Sequence, residues 1–365
     1  EGAAQSAIAS ASATTRFAGA DPLVELQFEK LTAETIARVE SLGFRTLGAY
    51  PQYGLMTGYA PLESLDELAV IPSLAVIAPE YGSISYPGST ISQADVSMNV
   101  DDARSSFGVD GTGIDVGILS DSFHSGLGGT VTGTGCDATI TGMPNQGTGD
   151  LPASVKMLNN GSGGIDEGAA MAELVHDLAP GANLWYHTAL PDGQAVFADG
   201  IAMLAGCGAD VLVDDIFYFA EPMYQDGIIA QAAAAAVADG IPYFSSAGNN
   251  ATYGISQTYD DWGVADDMPA GDPFPPPSGD DFHDFGGGDR FADFTLDDGE
   301  GLTIVLQWNE PWSGSLGPGA AVDMDLYVYP DENPASPFTQ RMTNVQGCSG
   351  GSRSGNPFEM IQLVN

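Results

Sequence analysis

Asp121 closes the apolar run GIDVGILSD, Asp166 and Glu167 open the helix-like run DEGAAMAELVHDL, Asp214 and Asp215 close ADVLVDD, and Asn249 follows IPYFSSAG. In parallel α/β sheets, ligands and reactions sit at the carboxyl ends of the strands, where these residues fall. A carboxylate there can accept a proton once burial or a neighbouring acid raises its pKa from roughly 4.3. Asp121 is the expected neighbour of Glu167, and two acids sharing one proton titrate as a pair. Each residue also has a plainer reading. Asp121 suits a plain strand end, Glu167 suits the positive end of a helix macrodipole, and Gly248-Asn249 suits a turn with positive φ. Strand alternation sends Asp214 and Asp215 to opposite faces, so one of them is a solvated or hydrogen-bonded structural acid. His176 lies late in the helix, more than two turns from Glu167, and reads as a cation at the helix C-terminus. His124 reads as loop material.

Three segments must position these residues. Residues 21–90 carry the order β-α-β-β-α-β of a small ferredoxin-like α+β domain. Its first helix is capped by Thr32, with Ile36, Val39 and Leu42 on its apolar side; its second is capped by Ser64. Residues 91–255 alternate buried strands with helices, which predicts a parallel sheet with helices on both faces. Residues 256–365 change to an Asp/Pro/Gly-rich loop and then alternating strands, which predicts a β-sandwich-like segment. Residues 1–20 are small and polar and read as a disordered leader.

Forty-nine Asp and Glu stand against nine Lys and Arg, for a formal charge of −40. A nucleic-acid partner needs a basic surface, so that class is excluded. Such a charge suits a saline environment, where counter-ions screen self-repulsion. Calcium binding by some of the acids, those of AVDMDLYVYPDE among them, is the sharper alternative. No apolar run is long enough to span a bilayer. Three cysteines make no disulfide framework: Cys207 reads as a buried, inert thiol, and Cys136 and Cys348, both in Gly-rich loops, are the two open to pairing.

Four stretches in this order resemble the subtilase superfamily of serine peptidases: GTGIDVGILSDSF, EGAAMAELVHDLAPGA, GADVLVDDI and ADGIPYFSSAGNN. The resemblance covers roughly residues 21–255. It implies a catalytic aspartate at Asp121, a base at Glu167, an oxyanion donor at Asn249, and substrate contacts at Asp215 and Gly248. It makes the N-terminal segment a propeptide that aids folding and inhibits, and the β-rich segment an insertion. The helix departs from the His-Gly-Thr of subtilisins. Glu167 instead matches the glutamate of the acid-active sedolisins, whose partner aspartate one turn later is Met171 here. Asn249 follows the subtilisins.

The implied activity is secreted endopeptidase cleavage of polypeptides by an enzyme that works at acidic pH or with a glutamate of raised pKa. No Gly-Thr-Ser-Met-Ala motif occurs. Ser349, Ser352 and Ser354 of GCSGGSRSG lie in a loop between strands and are not taken as the nucleophile, so this chain alone is expected to be inactive. The alternative is a non-catalytic surface or binding protein on the same scaffold.

Overall fold

The computed structural model describes residues 17–79, 93–126, 128–161, 163–190, 193–250, 254–261, 282–297, 299–322, 324–329, 340–342 and 355–364. They form two units. The first comprises residues up to Asn249 together with Ser313–Gly317; the second comprises Asn250–Trp312 and Pro318–Asn365.

The first unit opens with β1 (Phe17–Ala18), β2 (Asp21–Phe28), α1 (Ala33–Ser41), β3 (Arg45–Tyr50), β4 (Leu55–Tyr59), α2 (Leu65–Ala69) and β5 (Leu74–Pro79). Strand structure thus starts at Phe17, inside the stretch read as leader; residues 1–16 lie outside the described residues. The sheet is antiparallel, with β2 between β4 and β5 and with β1 beside its first residues. Helix α1 starts where Thr32 turns extended and its hydroxyl accepts the Thr35 amide at 3.2 Å. Ser64 does not cap α2. Its backbone is already helical, and its hydroxyl donates to the Leu42 carbonyl at 2.7 Å.

Alternation along β2 sends Val24, Leu26 and Phe28 toward the helices, against Val39, Met56 and Leu68. Leu55, with Tyr50 and Tyr53, instead joins the core of the second sheet. Ser315, from the segment that returns to this unit, donates its hydroxyl to the Tyr53 carbonyl at 2.5 Å.

Two short helices follow, α3 (Ala94–Ser97) and α4 (Val100–Phe107), and then β6 (Asp115–Ser120), β7 (Thr130–Thr132), β8 (Thr139–Thr141), α5 (Pro144–Thr148) and β9 (Val155–Asn159). The unit continues with α6 (Glu167–Leu178), β10 (Asn183–Thr188), α7 (Gln194–Cys207), β11 (Val211–Asp214), α8 (Ile228–Ala238) and β12 (Tyr243–Ser245). The sheet order is β12-β11-β6-β10-β9-β8-β7. The five strands from β12 to β9 are parallel, and β8 and β7 add an antiparallel edge.

Helices cover both faces. Leu119 and Leu212 face Phe197, Ile201 and Leu204 of α7 and Ile228 of α8. Ile118, Tyr186 and Val213 face Ala169 and Ala172 of α6. Each fully buried Leu, Ile or Phe here contributes roughly 1.5–3 kcal/mol. Gly117 leaves room for the side chain of Leu212 on the neighbouring β11 and for Leu204 of α7, because an added Cβ would lie 2.6 Å from Leu212 Cδ2 and 3.3 Å from Leu204 Cβ.

Cys136 and Cys207 form a disulfide across 71 residues, with Cα atoms 5.5 Å apart. Cys207 is therefore not the inert thiol read from the sequence, and Cys348, the expected partner of Cys136, lies outside the described residues. Cys207 closes α7 at a half-buried position, so its sulfur can reach the loop before β8.

In the second unit, β13 (Gly301–Gln307) pairs antiparallel with β16 (Phe358–Val364), and β14 (Leu326–Val328) with β15 (Gln340–Met342). Val328, Ile361 and Leu363 form its apolar centre, with Ile304 and Leu326 against them. Among the described residues these strands make two two-stranded sheets.

Candidate active site

The chain leaves β6 at Ser120, and Asp121 is buried at the carboxyl end of the strand, 3% exposed. Its Oδ1 accepts the backbone N–H of Glu167 at 3.0 Å and that of Ser122; its Oδ2 accepts the N–H of Ile165 at 2.6 Å. Thr188, at the end of β10, donates its hydroxyl to the Asp121 carbonyl at 2.5 Å. Asp121 thus ties the start of α6 to the sheet through backbone amides. Gly164 keeps that approach open, since a Cβ there would fall 2.6 Å from Asp121 Oδ2.

Asp166 precedes α6 with φ 63° and ψ 34°, a left-handed conformation that costs most L-residues on the order of 1–2 kcal/mol and is visited more readily by Asp and Asn. Its side chain makes no cap bond to the helix. Its carboxylate instead accepts the Ser122 hydroxyl at 2.9 Å and the amides of Ser125 and Gly126 at 2.6 and 2.7 Å. The Ser122 hydroxyl in turn accepts the Asp166 amide at 2.8 Å. One residue further into the helix, Gly168 donates to the Ser122 carbonyl at 3.0 Å.

Glu167, the first residue of α6, is 8% exposed. Its carboxyl neighbour is Asp215. Strand alternation explains this: Val213 packs on the α6 face of β11, so Asp215, two residues on, points the same way. Burial pushes the Asp215 carboxyl up to about 7, the charge of Glu167 adds to it, the facing Ser120 hydroxyl pulls the other way, and Asp214 adds a smaller push.

Asp214 points to the opposite face, as alternation predicts. It is buried and accepts the Tyr243 hydroxyl and, at 2.8 Å, that of Ser245. Burial raises its carboxyl. Glu221, on the loop after β11, is pushed up to about 7 by burial and by the charge of Asp214. The carboxyl end of β11 therefore carries acids on both of its faces.

Asn249 is exposed in the loop beyond β12, whose end lies beside that of β11, and Gly248 has φ 67°. His176 occupies the last turn of α6; nine residues at 1.5 Å rise separate it from Glu167 by about 14 Å. Met171 packs into the core between α6 and the sheet.

The sequence reading passed over Ser120, Ser122, Asp166 and His187. Asp166 carried a visible signal, an acid directly before a helix, but its side chain serves the loop and not the helix. His187 lies 2% exposed on β10, its Nδ1 2.8 Å from the Thr188 carbonyl. Burial lowers its pKa to about 4. Among the described residues, no three His, Cys, Asp or Glu side chains converge as metal ligands, and no helix is long and apolar enough to cross a membrane.

No protein-family model matches this sequence, and no curated protein sequence matches it. Solved structures similar to it include fervidolysin from Fervidobacterium pennivorans, a keratinolytic enzyme related to subtilisin, at 13% identity and a TM-score of 0.35, over 65% of this chain and 41% of that one. The epidermin leader peptide processing serine protease of Staphylococcus aureus is similar at 12% identity and a TM-score of 0.39, over 62% of this chain and 60% of its own. A mutant of that protease gives 11% identity and a TM-score of 0.33, over 54% of this chain and 50% of its own. The chain spans 41 to 60% of the length of these structures. At identities of 11 to 13%, the chemistry rests on this chain's own side chains.

Proposed function

We propose that this chain carries the acid–base half of a secreted subtilase-like endopeptidase, with Glu167 and Asp215 standing in place of a histidine base. The observation that carries this reading is the Glu167–Asp215 carboxyl pair at the carboxyl end of a parallel strand, with Asp215 pushed up to about 7. Below that pH, Asp215 holds a proton that it can share with the Glu167 carboxylate. Glu167 then takes the proton of an attacking serine hydroxyl, and the pair returns a proton to the leaving amine.

Asp121 holds the Glu167 backbone in place. Asn249 would donate its side-chain amide to the developing oxyanion, a contact whose loss typically costs about 2.7–4 kcal/mol of barrier. Gly248 and the loop after β12 would line the peptide. Of the described serines beside the pair, Ser120 is fully buried, and Ser122, also buried, is bonded to Asp166. Neither is free to attack a peptide.

The antiparallel domain of residues 17–79 is proposed as the inhibitory prodomain. The insertion of Leu55, Tyr50 and Tyr53 into the core of the second sheet supports its role as a folding aid. The Cys136–Cys207 disulfide supports an oxidising, extracellular location. The −40 charge supports a saline one.

The test is hydrolysis of denatured casein by the full-length gene product from pH 3 to 9, beside Glu167→Gln. Activity on the acidic side that falls by about 100-fold or more in the variant supports the carboxylate base. Activity that survives the substitution places the base elsewhere. No activity at any pH favours a non-catalytic binding protein on this scaffold.

A further inference from the structure

The pair works only if Glu167 is held against Asp215, and the residue before Glu167 has the bonds to hold it. We propose that Asp166 is a positioning residue: through Ser122, Ser125 and Gly126 it fixes the first turn of α6, and with it the direction of the Glu167 side chain. This rests on the reading of Glu167 and Asp215 as an acid–base pair.

Three observations converge. Asp166 is one of only two non-glycine residues with positive φ among those described, the other being Asn99. Its carboxylate turns away from the helix that it begins. An ordinary N-cap accepts an amide from the helix's own first turn; this one accepts Ser122 Oγ, Ser125 N and Gly126 N, all from the loop after β6. The bond to Ser122 is also reciprocal, since Ser122 Oγ accepts the Asp166 amide. Left-handed backbone at residue 166 aims the next residue inward, and the reciprocal bonds hold residue 166 to that conformation.

The flanking bonds serve the same geometry. Asp121 accepts the amides of Ile165 and Glu167, on either side of Asp166, and the Ser122 carbonyl accepts that of Gly168. Within that turn, the Asp166 side chain reaches out to the loop. Burial raises its carboxyl, but the Gly126 and Ser125 amides and the Ser122 hydroxyl outweigh it, so its pKa is lowered and the ionised form, the stronger acceptor, is favoured.

The test is a carbon-13 carboxyl NMR titration of Asp215 in the whole chain, with Glu167→Gln, Asp166→Gly and Asp166→Asn. Glycine accepts the left-handed backbone but deletes every side-chain bond; asparagine keeps the backbone and some of the acceptors. The expected result is a wild-type midpoint of about 7. It should fall by about one pH unit or more in Glu167→Gln and in Asp166→Gly, with Asp166→Asn between. A folded Asp166→Gly protein with the wild-type midpoint overturns the positioning role while leaving the pair intact. If the glycine variant does not fold, Asp166→Asn decides by the same criterion. A wild-type midpoint near 4 overturns the pair itself, and the positioning role falls with it.

Discussion

The Asp121 carboxylate accepts the backbone amide of Glu167 at 3.0 Å, while the Glu167 carboxyl has Asp215 as its neighbour. In the proposed pair, backbone placement falls to Asp121 and proton sharing to Asp215, at the carboxyl ends of two adjacent strands. The sequence reading expects Asp121 as the proton-sharing neighbour of Glu167.

Asp215 and Glu221 both hold their protons up to about pH 7 in the folded chain, whereas in the unfolded chain they lose them near their ordinary values. Unfolding between about pH 4 and pH 7 therefore releases protons, and stability falls as pH rises through that window. Urea unfolding should show a more stable protein at pH 5 than at pH 8. Asp215→Asn should flatten that difference, and an unchanged slope would count against the raised acid.

His187 acts with the opposite sign. Unfolded histidine binds a proton near 6.5, while the buried ring binds one only near 4. Its contribution is full above pH 6.5 and is lost as pH falls toward 4, amounting to about 3 kcal/mol. It partly masks the acids, so His187→Gln should make the fall in stability from pH 5 to pH 7 steeper. Urea midpoints across that interval measure it.

Gly168 sits where α6 crosses Tyr186. A Cβ there would lie 2.3 Å from Tyr186 Cε2 and 2.8 Å from the Ser122 carbonyl oxygen. Alanine cannot fit without moving the start of α6. Gly168→Ala should cost about 1–3 kcal/mol in a thermal melt, and it should lower the Asp215 midpoint by displacing Glu167. A variant of wild-type stability would show that the helix can shift freely.

The disulfide closes a loop of 71 residues between the turn before β8 and the end of α7. Cys207→Ser should lower stability by about 2–4 kcal/mol. The same loss should appear in wild-type protein after reduction. Equal melting temperatures with and without reductant would contradict the bond.

Much of the site was legible because alternation and helix periodicity are local. Asp214 and Asp215 were assigned to opposite faces from their spacing alone, and α6 and β11 lie where their apolar patterns place them. Asp166 and Ser122 were not legible, because their roles depend on a positive φ and on a loop 40 residues away in sequence. The Cys136–Cys207 pair was not legible for the same reason: sequence spacing says nothing of how a loop folds back onto a helix end. No strand or helix is read within residues 128–160, where β7 and β8 are three-residue, threonine-rich strands too short to show a pattern.

The most direct measurement is the titration midpoint of Asp215 in the wild-type chain and in Glu167→Gln. A midpoint of about 7 that drops on neutralising Glu167 is the predicted result. A midpoint near 4 in the wild type, unmoved by the substitution, would mean that the two carboxyls do not form a pair.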